Sequence, residues 1–272
     1  MNDTSGRKFE FFDAHSHLNL DPLTKEKDEI IKTLEEENIG TITIGTDMIT
    51  SKDAIEISKK SEMLFAGVGL HPTDVENEEF SYEKYSELAK DPSVVCIGEC
   101  GLDYFRLKGD SSEIKDKQKE VFKKQIELAL EHDLPLMLHC RPTNGSMDAY
   151  EDVLDILESY MNTHCAKLRG NSHFFVGDLN IAKRFLDLEF TLSFPGVITF
   201  ARDYDDVVRY IPLHMILSET DAPFAAPEPY RGKTNMPHYV KEIVKKIAEL
   251  KGLEYEKVKK VLVENVKRVF SI

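Results

Sequence analysis

Short apolar runs recur along the chain, each followed by a longer stretch in which apolar residues return every three or four positions. The runs at 9–14, 41–45, 64–69, 94–98, 136–139, 171–175, 190–194 and 214–218 read as buried strands bounded by polar or glycine-containing segments. The stretches 25–38, 51–61, 81–89, 118–132, 150–161, 180–188 and 204–211 read as helices, and 237–250 and 255–270 add a closing pair. Val121, Gln125, Leu128 and Ala129 illustrate the reasoning: they form one face at i, i+4, i+7 and i+8, opposite lysines and glutamates. Strands that alternate with helices predict a parallel sheet, and eight of them is the number that closes a (β/α)8 TIM barrel. The expected fold class is therefore α/β, a single barrel over 1–272. The long predicted loops, 103–116, 141–149 and 221–236, all follow strands, on the face where barrel enzymes carry their active sites.

The residues that end these strands carry the chemistry. The first run leaves the core as Asp13-Ala14-His15-Ser16-His17, and strand alternation sends Asp13, His15 and His17 to one side. Two imidazoles at a strand end make half of a metal site, with a pair of surface histidines as the plainer alternative. The third run enters Gly69-Leu70-His71-Pro72, and the fourth ends Glu99-Cys100-Gly101-Leu102-Asp103. The fifth ends His139-Cys140-Arg141, the sixth carries His173, and the eighth ends Glu219-Thr220-Asp221. A closed barrel makes neighbours of these distant positions. Imidazoles and carboxylates gathered there without a cation would each cost several kcal/mol to bury, roughly 2–7 for an unpaired polar group, so the pattern argues for bound metal.

Composition narrows the function classes. A chain of 272 residues with 41% hydrophobic content buries a large core. Its net charge of −14 excludes broad, sequence-independent coating of nucleic acid, while leaving room for a small cationic site on an acidic body. Cys96, Cys100, Cys140 and Cys165 form no C-x-x-C pair and read as reduced thiols, mostly buried. The polar segment 1–8 lacks the apolar stretch of a signal peptide, and no apolar run approaches the roughly 20 residues of a membrane span. A cytoplasmic protein with no membrane association and no obligatory protein partner is expected.

Taken together the blocks are specific. The chain resembles the TatD family of metal-dependent deoxyribonucleases, within the amidohydrolase-like barrels. The resemblance rests on Asp13-Ala14-His15-Ser16-His17-Leu18, Gly69-Leu70-His71-Pro72, Ile97-Gly98-Glu99-Cys100-Gly101-Leu102-Asp103-Tyr104, His139-Cys140-Arg141, Glu219-Thr220-Asp221-Ala222-Pro223 and Arg231-Gly232-Lys233-x-Asn235-x-Pro237. Two departures stand out: Phe174 where the family often has cysteine, and Pro142 where an aspartate is common. The resemblance implies two divalent metal ions, Mg, Mn or Zn. It implies His15, His17 and Asp221 on one ion, His139 and His173 on the other, and Glu99 between them. Glu99 and Asp221 are then the catalytic pair, with Asp221 orienting or deprotonating the attacking water.

Other residues carry lesser expectations. His71, Arg141, Arg106 and Arg231 are candidate substrate contacts, with Arg202 and Lys233 farther out. Glu219 reads as a buried partner of an active-site cation, and Asp103 and Tyr104 as substrate contacts or caps of the next helix. His132, His164, His214 and His238 match no motif. The function implied by the resemblance is removal of nucleotides from the 3′ ends of single-stranded or frayed DNA. The alternatives are hydrolysis of a small amide, ester or phosphate on the same barrel, or a non-catalytic adaptor.

Overall fold

The structure, a computed structural model, describes residues 8–109, 111–164 and 168–272. Eight strands form one sheet in sequence order: β1 (Phe11–Ser16), β2 (Ile39–Ile44), β3 (Leu64–Val68), β4 (Val94–Asp103), β5 (Leu136–Arg141), β6 (Gly170–Ser172), β7 (Thr191–Phe194) and β8 (Ile216–Ser218). Each pairs in parallel with the next. Helices α1 (Leu23–Glu36), α2 (Met48–Ser58), α3 (Tyr82–Ala89), α4 (Ser112–His132), α5 (Asp148–His164), α6 (Leu179–Asp187) and α7 (Asp205–Tyr210) follow β1 to β7 in turn. After β8 come α8 (Val240–Lys251) and α9 (Tyr255–Phe270). This is the TIM barrel that the alternation predicts.

Residues buried on both faces account for the uninterrupted apolar runs: every residue of β2, β3 and β4 is buried. Helix ends follow local chemistry. Asp47 and Thr50 form a reciprocal cap at the start of α2, and Gly252 ends α8 at φ 62°, where a side chain would be strained.

Closure between β8 and β1 lies in the residues just past β8. Ser16 bridges to Ala222, the Asp221 amide donates to the His15 carbonyl at 2.9 Å, and the His17 amide donates to the Ala222 carbonyl at 2.7 Å. Beneath them, buried Asp13 accepts from the amide and hydroxyl of Thr220, both at 2.7 Å. The seam that closes the barrel is therefore built from the segments that carry His15, His17 and Asp221.

Strand bounds differ from the apolar runs where backbone geometry, not hydrophobicity, sets the limit. β4 continues five residues past Gly98 to Asp103 through a register shift between Ile97 and Cys100. Gly98 and Gly101 make that possible. Their φ values are +152° and +134°, and an added Cβ would lie 2.4 Å from the Met137 carbonyl oxygen and 2.1 Å from that of His139. β6 stops at Ser172, just short of His173, and His214 sits in a 3-10 turn ahead of β8. Among the described residues no helix is long and apolar enough to cross a membrane.

Candidate metal centre

Four histidines and two carboxylates meet at the C-terminal mouth of the barrel. His15 comes from β1, His17 from just beyond it, Glu99 from β4, His139 from β5, His173 from the turn after β6, and Asp221 from the β8–β1 seam. The Nε2 atoms of His15 and His17 are 3.1 Å apart, and both lie 3.7 Å from Glu99 Oε2. Asp221 Oδ1 is 3.7 Å from His15 Nε2 and 3.5 Å from His17 Nε2. On the other side, Glu99 Oε1 lies 2.9 Å from His139 Nδ1 and 2.8 Å from His173 Nε2. Glu99 thus presents one oxygen to each pair of rings.

The donor set fits divalent metal. His17 Nδ1 donates to the Ile44 carbonyl at 3.0 Å, which leaves Nε2 as a bare lone pair facing His15 Nε2 and two carboxylates. Such an array of buried acceptors calls for positive charge. Metal bonds of about 2.0–2.2 Å place neighbouring ligand atoms roughly 3 Å apart, close to the separations seen here. His15, His173 and Asp221, His15, His17 and Glu99, and Glu99, His139 and His173 each bring ligand atoms within 4.8 Å of one another. Four imidazoles with carboxylates suit transition ions better than Ca, which prefers oxygen shells.

Outer partners fix the rings. His139 Nε2 is 3.1 Å from Asp103 Oδ2, so Nδ1 is the nitrogen turned to the centre. The Glu219 carboxylate lies 3.7 Å from His173 Nδ1, too long for a hydrogen bond, and accepts from the Phe174 amide at 2.6 Å and Ser193 Oγ at 2.5 Å. His71 differs from the other rings: its Nδ1 accepts from the Thr73 amide at 3.2 Å, which puts the proton on Nε2, 3.6 Å from Glu99 Oε1. His71 is therefore an N–H donor aimed into the cavity, although it, Asp103 and His139 also lie close enough to hold an ion.

Electrostatics separates these groups. Burial, helped by the neighbouring His173, holds the His15 pKa well below the ordinary histidine value, and burial with His139 lowers that of His71 to about 3. Burial also opposes charge on His17, but Asp221 and Glu99 outweigh it and raise its pKa. For His139 burial is overcome by Asp103 and Glu99, and for His173 by Glu99 and Glu219, which lift it well above the ordinary value. Burial would raise the Glu99 pKa, yet the surrounding His173, His71 and His139 hold it well below the usual carboxylate range.

The TatD related DNase family model matches residues 12–271. The chain belongs to the TatD family. It is 38% identical over 265 residues to the uncharacterized metal-dependent hydrolase YabD of Bacillus subtilis, covering 96% of this chain and 99% of that protein. It is 32% identical over 266 residues to the uncharacterized metal-dependent hydrolase YcfH of Escherichia coli, covering 96% and 95%. Its fold matches the crystal structure of YjjV, a TatD homologue from E. coli, with a TM-score of 0.85, 25% identity and coverage of 97% and 98%. The protein is a metal-dependent hydrolase.

Polar residues from five of the TatD blocks line one cavity. His71, Arg141 and Arg106 line it together with His17, Glu99, His139, His173 and Asp221. Arg231 does not line it; its guanidinium lies 4.1 Å over the Phe200 ring. Arg202 donates to the Ile198 carbonyl and is half exposed, and Lys233 is exposed. His132 pairs with Ser86 Oγ at 2.8 Å, and His214 is exposed. Cys96, Cys100 and Cys140 are buried free thiols, whereas Cys165 lies outside the described residues. The contact of Asp103 with His139 was not legible in sequence, because the apolar run stops at Gly98 while β4 continues to Asp103.

Proposed function

We propose that this TatD protein removes nucleotides from the 3′ ends of single-stranded or frayed DNA by metal-dependent hydrolysis of the phosphodiester. The observation that supports the reading is a set of overlapping histidine–carboxylate groups able to hold metal, beside a cavity lined by Arg141, Arg106 and the His71 ring. Divalent ions at these positions would lower the pKa of a shared water and neutralise charge developing on the phosphate. Glu99 holds the two ligand sets together, and Asp221, beside His15 and His17, accepts the proton of the attacking water. His71 donates from Nε2 to a phosphate oxygen. Arg141 presents a planar fork, braced on Phe105 at 4.0 Å, to the next phosphate of the strand. A narrow mouth accepts one strand more easily than a stacked duplex.

The test is cleavage of 3′-labelled single-stranded DNA with Mg, Mn or Zn added, with Glu99→Ala as control. Stepwise loss of nucleotides by the wild type, and none by Glu99→Ala with the fold retained by circular dichroism, is the expected outcome. Activity of Glu99→Ala within about tenfold of wild type, a barrier difference of only about 1.4 kcal/mol, removes Glu99 from its role. Internal cutting of circular DNA as fast as linear DNA abandons the exonuclease reading. The second reading, a small amide, ester or phosphate substrate, draws support from fold neighbours such as an organophosphorus hydrolase from Deinococcus radiodurans, TM-score 0.59 at 11% identity. That likeness concerns the barrel alone.

A further inference from the structure

The cavity over the centre, about 670 Å³, has two unlike walls. The ends of β4 and β5 and the segments after β3 and β4 line it with His71, Thr73, Asp74, Asp103, Arg106 and Arg141. Segments after β6, β7 and β8 line it with Phe174, Val176, Val197, Tyr204 and Phe224. Because the strands run in sequence order around the barrel, these are two continuous arcs facing each other. The first suits phosphate and sugar. The second offers them little, since apolar and aromatic side chains gain by covering apolar faces.

Phe224 is the most telling member of the apolar arc. It is 53% exposed, yet it borders the metal ligands: its ring stands edge-on to His17 with centroids 6.2 Å apart. Its backbone is held, the amide donating to the Asp221 carbonyl at 2.8 Å and the carbonyl accepting from Asn235 Nδ2 at 2.6 Å. An exposed ring on a fixed backbone is a platform without a partner. Phe174, which lines the same cavity beside His173, keeps φ at +43°, a strained backbone for a bulky residue that the Glu219 contact to its amide holds in place.

We infer that this arc is a nucleobase subsite: the base of the nucleotide whose phosphate lies over the centre stacks on Phe224, with Phe174 and Tyr204 enclosing it. The inference rests on the nuclease reading above and adds what that reading leaves open, a part of the site that recognises bases rather than the backbone. Stacking tolerates every base, so the subsite selects nucleotides over base-free phosphates without selecting sequence.

The experiment measures equilibrium binding of the metal-loaded protein to deoxyguanosine 5′-monophosphate and to 2-deoxyribose 5-phosphate, which lacks only the base. Wild type is expected to prefer the nucleotide by about tenfold or more, the range of one base–aromatic stack. Phe224→Ala and Phe224→Leu, the latter keeping apolar volume but losing the flat face, should bring the two affinities within about threefold. Phe224→Tyr should keep the preference, as should Tyr210→Ala, whose exposed ring lies outside the cavity. Equal binding of the two ligands by wild type, no binding of either, or an undiminished preference in both Phe224→Ala and Phe224→Leu overturns the subsite. Cleavage run in parallel, on oligonucleotides ending 3′ in a normal or an abasic residue, separates the two readings. A base preference in binding with neither oligonucleotide cut removes the nuclease function and leaves the subsite. Equal cutting of both with no base preference removes the subsite and leaves the nuclease.

Discussion

The two halves of the centre are held by different means. His15, His17 and Asp221 sit on the closing seam, and backbone hydrogen bonds between β1 and the segment after β8 set their positions. His139 and His173 come from β5 and the turn after β6, and carboxylates outside the centre, Asp103 and Glu219, hold or flank their rings. At the seam, burial and the neighbouring His173 make His15 a weak proton binder, while Asp221 and Glu99 raise the pKa of His17. A carboxylate-set ring gains basicity, as a ligand and toward protons alike. The seam half is thus positioned by backbone pairing, and the other half by outer carboxylates.

Breaking each half separately should give the largest effects. His15→Ala is expected to lose the ion of the seam half and His139→Ala the ion of the other, each with about one equivalent less metal by elemental analysis. Activity should fall by more than the roughly 10–100-fold that loss of an outer partner costs. Unchanged metal content in both variants would remove the two-half division altogether.

Outer partners come next in size. Asp103→Asn should weaken metal binding about 10–100-fold at the His139 half while sparing the seam half, because the ring keeps a hydrogen-bond partner but loses its charge. Titration of the metal-free protein with Mn, followed by calorimetry, reads the two affinities. Equal weakening of both would mean that Asp103 acts on the whole barrel mouth. Charge-neutral Glu219→Gln tests the weaker, 3.7 Å contact to His173 and should have the smaller effect.

How much of this was visible beforehand follows strand geometry. His15, His17, His139 and Asp221 end apolar runs or lie within a few residues of them, so alternation and barrel closure predict their convergence. Glu99 lies just beyond the apolar run 94–98, but the strand itself runs on to Asp103, because Gly98 and Gly101 let the chain continue there. Asp103 reads in sequence as a substrate contact or helix cap, whereas the continued strand brings it to His139. Arg231 was grouped with the cavity residues by its motif, but the segment after β8 lays it over Phe200. Loops escape periodicity, and no spacing rule places a residue in a long one.

Acidification should distinguish the halves more gently. A metal ion must displace the proton of any ring it binds, and a ring with a raised pKa holds that proton at higher pH. His139 and His173 are both raised, whereas at the seam His17 is raised and His15 is well below the ordinary value. As pH falls, affinity at the His139 half therefore drops first, by about tenfold per pH unit for each proton displaced once the pH lies below that ring's pKa. Metal retention followed from pH 8 to 5 should show one ion leaving before the other. Simultaneous loss would mean that Glu99 couples the halves more strongly than their surroundings divide them.

The smallest expected effect concerns substrate charge, which also divides along the same line. A protein of net charge −14 repels a polyanion, so on the proposed nuclease reading attraction to DNA would come from bound ions and from cations beside them. Among the described residues the arginines that line the cavity, Arg106 and Arg141, lie on one side. Arg141 pairs in register with Asp103, next to His139, and lines the cavity with Arg106, while Arg231 is stacked away from it. With so few phosphates held, the logarithm of affinity should fall shallowly with the logarithm of salt, by about 0.7 for each phosphate neutralised on a single strand. Arg141→Ala should remove about one such unit from the slope and weaken cleavage several-fold without loss of metal, and Arg231→Ala should change neither. Binding to single-stranded DNA measured from low to moderate salt for wild type and both variants is the check. A slope equivalent to eight or more contacts, or equal sensitivity to the two substitutions, would place the strand on a broad cationic surface and dissolve the asymmetry between the halves.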